Sequence, residues 1–147
     1  MIVNVVDFEK ITALYNPYLD GVKDINKERE VFVGKLEPIR KEMEDIIRSL
    51  SSGIELIGDD RQQKEIRYGQ LQEQAISLDE EFKAKAREMK DNLNEKTFTE
   101  LSAIINEYIE GKEIDMVIGK MEVVFVKPDF EITDKIIELL KTKKLVD

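Results

Sequence analysis

The sequence predicts an α+β fold in which a long antiparallel helical hairpin is inserted into a small β body with two short helices. Three observations predict it. Apolar side chains recur at helical spacing through the middle of the chain, and Val-rich runs of strand character sit near both ends. Chain-breaking residues are also few, with seven Gly and three Pro in 147 residues. Charged residues make up 37% and apolar residues 41%, a balance suited to long helices with wide solvated faces.

Residues 2–6 are mostly apolar and rich in Val, which favours a short buried strand. Asp7 has the chemistry of a helix N-cap, its carboxylate accepting from free N–H groups of the first turn. The short helix it opens is expected from Phe8 to Tyr15, ending at Asn16-Pro17 because a residue before proline is pushed out of the α region.

From Val22 a row of Val22, Ile25, Arg29, Phe32, Leu36, Ile39, Met43, Ile46 and Leu50 steps alternately by 3 and 4, the coiled-coil period. Arg29 is its one charged member, and Pro38 inside the run removes a backbone hydrogen bond and bends the helix; both read as register and shape features. Ser51-Ser52-Gly53 and Gly58-Asp59-Asp60 are turn and cap chemistry. The returning helix is expected from about Asp60 to about Glu110, with a row of Leu71, Ala75, Leu78, Phe82, Ala86, Met89, Leu93, Thr97, Leu101, Ile104 and Tyr108 whose mean step is 3.7. That period departs from the heptad, so left-handed winding should not persist throughout. The predicted hairpin occupies 18–110, and the body 1–17 and 111–147.

After Gly111 the period falls towards two. Ile114–Ile118 and Met121–Val126 flank Gly119-Lys120, and Gly at the first of two loop positions predicts a type II′ β-hairpin. Pro128 ends the second strand. The last helix is expected from Thr133, with the Thr133 hydroxyl as cap, Ile132 stapled onto Ile137, and Ile136, Ile137, Leu139 and Leu140 as its buried face. Such a three-stranded sheet is too small to be stable alone, so the strands are expected to join across subunits of an oligomer. Val3, Val5, Met116, Ile118, Val124 and Val126 are the candidate oligomerisation residues.

Composition narrows function. There is no Cys and no His, which removes thiolate chemistry, the usual general base and the commonest transition-metal ligand. No cofactor and no metal are expected. The net charge is -9, the wrong sign for a nucleic-acid binder. No run reaches the ~18 apolar residues of a membrane span, so membrane insertion is not expected. The N-terminus lacks the basic start and cleavage site of a signal peptide; a cytoplasmic location is expected as the chain stands, and a periplasmic one if a signal peptide has been removed. The acidic clusters Asp59-Asp60 and Asp79-Glu80-Glu81 lack metal-ligand spacing and read as caps or solvated faces. Without a nucleophile, base or cofactor loop, an enzyme is not expected.

Ile114-Asp115-Met116-Val117-Ile118 and Glu131-Ile132-Thr133-Asp134-Lys135-Ile136-Ile137, together with Val5-Val6-Asp7-Phe8-Glu9-Lys10-Ile11, resemble the Skp/OmpH family. There a strand leads through a hairpin to an Asp-Ile-Thr-Asp helix start. The element order is similar over essentially the whole chain. The resemblance implies a homotrimeric, jellyfish-like holdase: three subunits pool strands in a shared β-barrel, and helical tentacles cage unfolded client proteins without ATP. Two features depart from the envelope members of that family, which are basic and carry signal peptides. Here residues 1–60 hold 8 positive and 13 negative side chains, 61–91 hold 7 and 7, and 92–147 hold 8 and 12. A cytosolic or virus-encoded member is the expectation.

Client contact is expected at Phe82 and Met89 on the returning helix, whose main role is packing. Ile54, Leu56 and Ile57 at the predicted tip either pack on one another or touch clients. Tyr15 and Tyr18 are expected to pack where body meets arm. The alternative function is a trimeric coiled-coil assembly or scaffolding factor for one dedicated partner. A prefoldin-like arrangement has the reverse element order.

Overall fold

The structure is a computed structural model that describes residues 1–52 and 58–147. In chain order it contains β1 (Val3–Val6), α1 (Phe8–Thr12), α2 (Asn16–Ser51), α3 (Gly58–Ile109), β2 (Met116–Gly119), two single 3₁₀ turns (Lys120–Glu122 and Pro128–Phe130) and α4 (Thr133–Thr142). It is an α+β chain dominated by two long helices. It divides into two units: a body of Met1–Lys23 with Lys90–Asp147, and a helical pair of Asp24–Met89.

In the body, Asp7 caps α1 as its chemistry predicts, accepting from the Lys10 N–H at 3.0 Å. The helix is shorter than the sequence predicts, ending at Thr12. The proline expected to stop the chain instead lies in the first turn of α2, where its fixed φ is tolerated and its missing N–H is not needed. The C-terminal tail closes over this junction: the Asn16 N–H donates to the Leu145 carbonyl at 2.8 Å.

The two strands pair in parallel, with Val3 opposite Met116 and Val6 opposite Gly119. Parallel pairing needs a long crossover, which α1, α2 and α3 supply. Beyond β2 the expected β-hairpin does not form. Gly119 has φ -71° and ψ 141°, extended backbone rather than the positive φ of a type II′ turn, and 123–126 is in no strand. The reason lies in where the chain must go next. Glu131 bridges to Val5 in parallel, and the Ile132 N–H donates to the Val5 carbonyl at 2.9 Å. Since β2 already occupies one edge of β1, residues 120–130 are used to cross to the other edge. Among the described residues the sheet therefore has two strands, not three.

Thr133 also departs from expectation. Its hydroxyl does not cap α4 but accepts from the Asp7 N–H at 2.9 Å and donates to the Glu131 carboxylate at 3.1 Å, tying the start of α4 to the end of β1. The body core joins Val6, Ile11 and Tyr15 to Leu101, Ile104 and Ile105 of α3 and to Ile132, Ile136, Ile137 and Leu140 around α4. Each fully buried aliphatic side chain contributes about 1.5–3 kcal/mol. The Ile132–Ile137 side chains share this core, and Leu139 packs at its margin, as the periodicity of the last helix predicts.

The helical pair is built differently. Glu28 pairs with Lys85, Phe32 with Phe82, and Glu42 with Arg67, so residue numbers fall on one helix as they rise on the other and the pair is antiparallel. The predicted rows face inward: every α2 row member except Arg29, and every member of the α3 row, is at least half-buried. Pro38 lies inside α2. Among the described residues of this unit only Ile46 and Leu71 are fully buried, because two helices alone shield only a narrow seam.

Candidate functional site

Two surfaces combine exposed apolar groups with defined geometry. The first is on the body. β2 has β1 on one side and, among the described residues, no strand on the other, so it keeps an open edge of backbone donors and acceptors. The segment that follows leaves Met121, Val124 and Phe125 standing in solvent, Val124 completely. Val123 and Lys127, on either side, have extended dihedrals.

Beside the strands lies an open cavity of about 390 Å³ lined by Phe8, Phe98, Ile105, Ile109, Met116 and Val117. The Phe8 and Phe98 rings are 5.6 Å apart, yet Phe98 remains 60% exposed. Asp115 fixes this edge: its carboxylate accepts from the Ile2 N–H at 2.6 Å, while the Ile2 carbonyl accepts from the Asp115 N–H at 2.9 Å.

Of the six candidate oligomerisation residues, Val3, Val5, Met116 and Ile118 lie on the paired strands. Val5 is buried, Val3 and Ile118 are half-buried and Met116 is exposed. Val124 and Val126 lie in the crossing segment, not in a strand, and Val126 is half-buried.

The second surface is the helical pair. Phe82 and Met89 are half-buried on the inner row of α3. Phe82 stacks on Phe32 with centroids 4.8 Å apart and planes 9° from parallel. Outside the row, Val31, Val33, Ile47, Ile66 and Ile76 are each about half exposed or more. Ile54, Leu56 and Ile57 lie outside the described residues.

A groove of about 280 Å³ opens between Leu36, Ile39, Met43 and Ile47 of α2 and Tyr68 and Ala75 of α3. Arg40 and Glu44 also line it. Arg40 binds Glu44, and its Nε donates to Glu37 at 3.1 Å. The Arg40 hydrogen bond holds the Glu37 carboxyl below its usual range, and the paired carboxylates raise the guanidinium further.

Elsewhere the long helices carry the ion pairs that their charge pattern allows, such as Lys83–Asp79 at 2.8 Å; solvent screens such exposed pairs, and they add little to stability. In the body, the buried Tyr15 donates its hydroxyl to Glu100 at 2.6 Å, and burial followed by the Glu100 contact pushes its ionisation well above the ordinary range. Tyr18 accepts from Lys90 at 2.9 Å. Both tyrosines belong to the body's packing.

Two features were not anticipated from the sequence. Phe98 lies one residue off the α3 row, and that misplaced aromatic was a legible sign of a second apolar face. The groove opens beside Ala75, one of two alanines in the α3 row.

No helix among the described residues is long and apolar enough to cross a membrane. A search of curated proteins gives no match. A family profile described as "Outer membrane protein (OmpH-like)" matches residues 3–140, which takes in both strands, the complete helical pair and most of α4. The chain belongs to the OmpH-like outer membrane protein family.

Proposed function

We propose that the protein is an ATP-independent holdase: copies associate through the body, and the helical pairs hold unfolded client chains and keep them from aggregating. Membership of the OmpH-like family supports a chaperone-type role. The observation that carries the finer reading is the makeup of the helical pair. It is a highly charged unit with almost no fully buried core, and its outer faces present Val31, Val33, Ile47, Ile66 and Ile76. Weak apolar contacts on a solvated charged wall suit reversible retention of an unfolded chain.

The body supports the reading that copies associate. A two-stranded sheet is marginal in isolation, and parallel strands are ordinarily covered, whereas here an open strand edge lies near the exposed Met121, Val124 and Phe125. A homotrimer in which the exposed Met116 and Val124 and the half-buried Val3, Ile118 and Val126 meet across subunits is the proposed state, with Val5 buried within each copy. The proposed activity requires no catalytic group, cofactor, metal or nucleic acid.

Light scattering of a protein diluted from urea, with and without this chain, tests the proposal. Suppression of aggregation for several unrelated proteins is expected. Suppression for none of them would contradict it and favour the alternative of an assembly factor for one dedicated partner.

A further inference from the structure

We propose that the tail Lys144–Asp147 is a latch on the start of α2. Closed, it supplies the cap that α2 does not provide for itself; it opens as a local event that frees the first turn of α2 while the rest of the body stays folded.

α2 begins without a capping side chain of its own. The Leu19 N–H donates to the Tyr15 carbonyl at 3.1 Å, which makes Tyr15 the N-cap residue, where Ser, Thr, Asp or Asn ordinarily supplies a side-chain acceptor. The Tyr15 hydroxyl is instead directed to Glu100, and the first turn of α2 holds no acidic residue. Pro17 has no N–H to satisfy. The Asn16 N–H does, and the Leu145 carbonyl accepts from it at 2.8 Å. A second tie comes from the Asn16 side chain, whose Nδ2 donates to the Asp147 carboxylate at 3.1 Å. That carboxylate lies at the positive end of the helix, where an anion is favoured.

The tail reaches this position through a Schellman turn at the end of α4. The Leu145 N–H donates to the Leu140 carbonyl and the Lys144 N–H to the Lys141 carbonyl, each at 3.0 Å, the paired bonds of that motif. Its left-handed position usually falls to Gly. Here it falls to Lys144, with φ 59°, the one non-glycine residue of positive φ among the described residues. The root of the latch is therefore strained, while its tip is anchored: Val146 is 6% exposed within the body core, and Leu145 packs against that core. A four-residue tail held by one fully buried side chain and two bonds to Asn16, against a strained root, is held less firmly than the core and opens below global unfolding. Opening removes the acceptor of the Asn16 N–H, so the tail and the first turn of α2 loosen together.

Hydrogen exchange of the full chain, followed by mass spectrometry at several low urea concentrations, tests the latch. Peptides covering 15–22 and 143–147 should exchange together, well ahead of the Val3–Val6 strand and with little dependence on urea. Lys144 is exposed, so its substitution alters the root without touching the core. Lys144→Val, β-branched and ill-suited to positive φ, should speed exchange of 15–22 about fivefold. Lys144→Gly should slow it about threefold.

Exchange of 15–22 that is unmoved by both Lys144 variants would overturn the inference. So would exchange of 15–22 only in step with Val3–Val6 and with the same urea dependence, because the first turn of α2 would then open only when the whole body unfolds.

Discussion

Tyr15 shows how a single side chain joins distant parts of the chain. It packs in the body core and spends its hydroxyl on Glu100 of α3. Tyr15→Phe keeps the ring and loses the bond, and should cost about 1–2 kcal/mol in urea denaturation. The same contact sets a pH dependence. The unfolded chain releases the tyrosine proton near 10 while the folded chain retains it to higher pH. The contribution is therefore complete below about 10 and is lost as pH rises above that value. The tyrosinate absorbance of the native protein should show a displaced step that is missing from Tyr15→Phe.

Glycines give a second contrast at the same scale. A Cβ at Gly21 would lie 2.3 Å from Leu93 Cδ1, whereas one at Gly34 would meet nothing within 4 Å. Gly34→Ala should stabilise by about 0.5–1 kcal/mol through helix propensity alone. Gly21→Ala gains the same propensity but must push the half-buried Leu93 side chain aside, so it should stabilise less than Gly34→Ala. Thermal melts of Gly21→Ala, Leu93→Ala and the double variant test this, with the smaller Leu93→Ala side chain expected to relieve the clash.

Among elements, the helical pair was legible because both of its rows are long and periodic. Every row member but Arg29 points inward, and Arg29, the one charged residue in a seam of apolar ones, is exposed. The strand Val3–Val6, the Asp7 cap and the buried face of α4 were equally plain, since each follows from a local pattern. Two further elements were not. Pro17 looks like a stop signal from its own dipeptide, but a proline in the first helical turn obeys the same steric rule. Gly119-Lys120 looks like a hairpin because Val-rich runs flank it, and nothing local reveals that Glu131 must reach the far edge of β1. Tertiary demand overrode turn propensity there.

The Phe32–Phe82 stack clamps the pair at mid-seam. Replacing either ring by Leu should show a coupling of about 0.5–1.5 kcal/mol in a double-mutant cycle followed by circular dichroism. The groove was the least legible part of the candidate site. Ala75 fits the row by position, as Ala86 does, and nothing in the row itself marks the first as the place where a groove opens.

At the scale of the whole molecule, the chain carries two kinds of unpartnered apolar surface, each within its own unit. The body presents an open strand edge and the side chains of Met121, Val124 and Phe125, and the helical pair presents a discontinuous apolar face between charges. Under the proposed function the first would meet copies of the same chain and the second would meet clients. Replacing Met121, Val124 and Phe125 by Ser should shift the mass measured by light scattering towards the single chain while leaving helical content intact, because these side chains stand in solvent.

Native mass spectrometry tests the central claim most directly: the protein alone, then mixed with an unfolded protein diluted from urea, then with that same protein folded. A trimer that takes up one unfolded chain and ignores the folded form is expected. A monomer, or a trimer that ignores both forms, would contradict it.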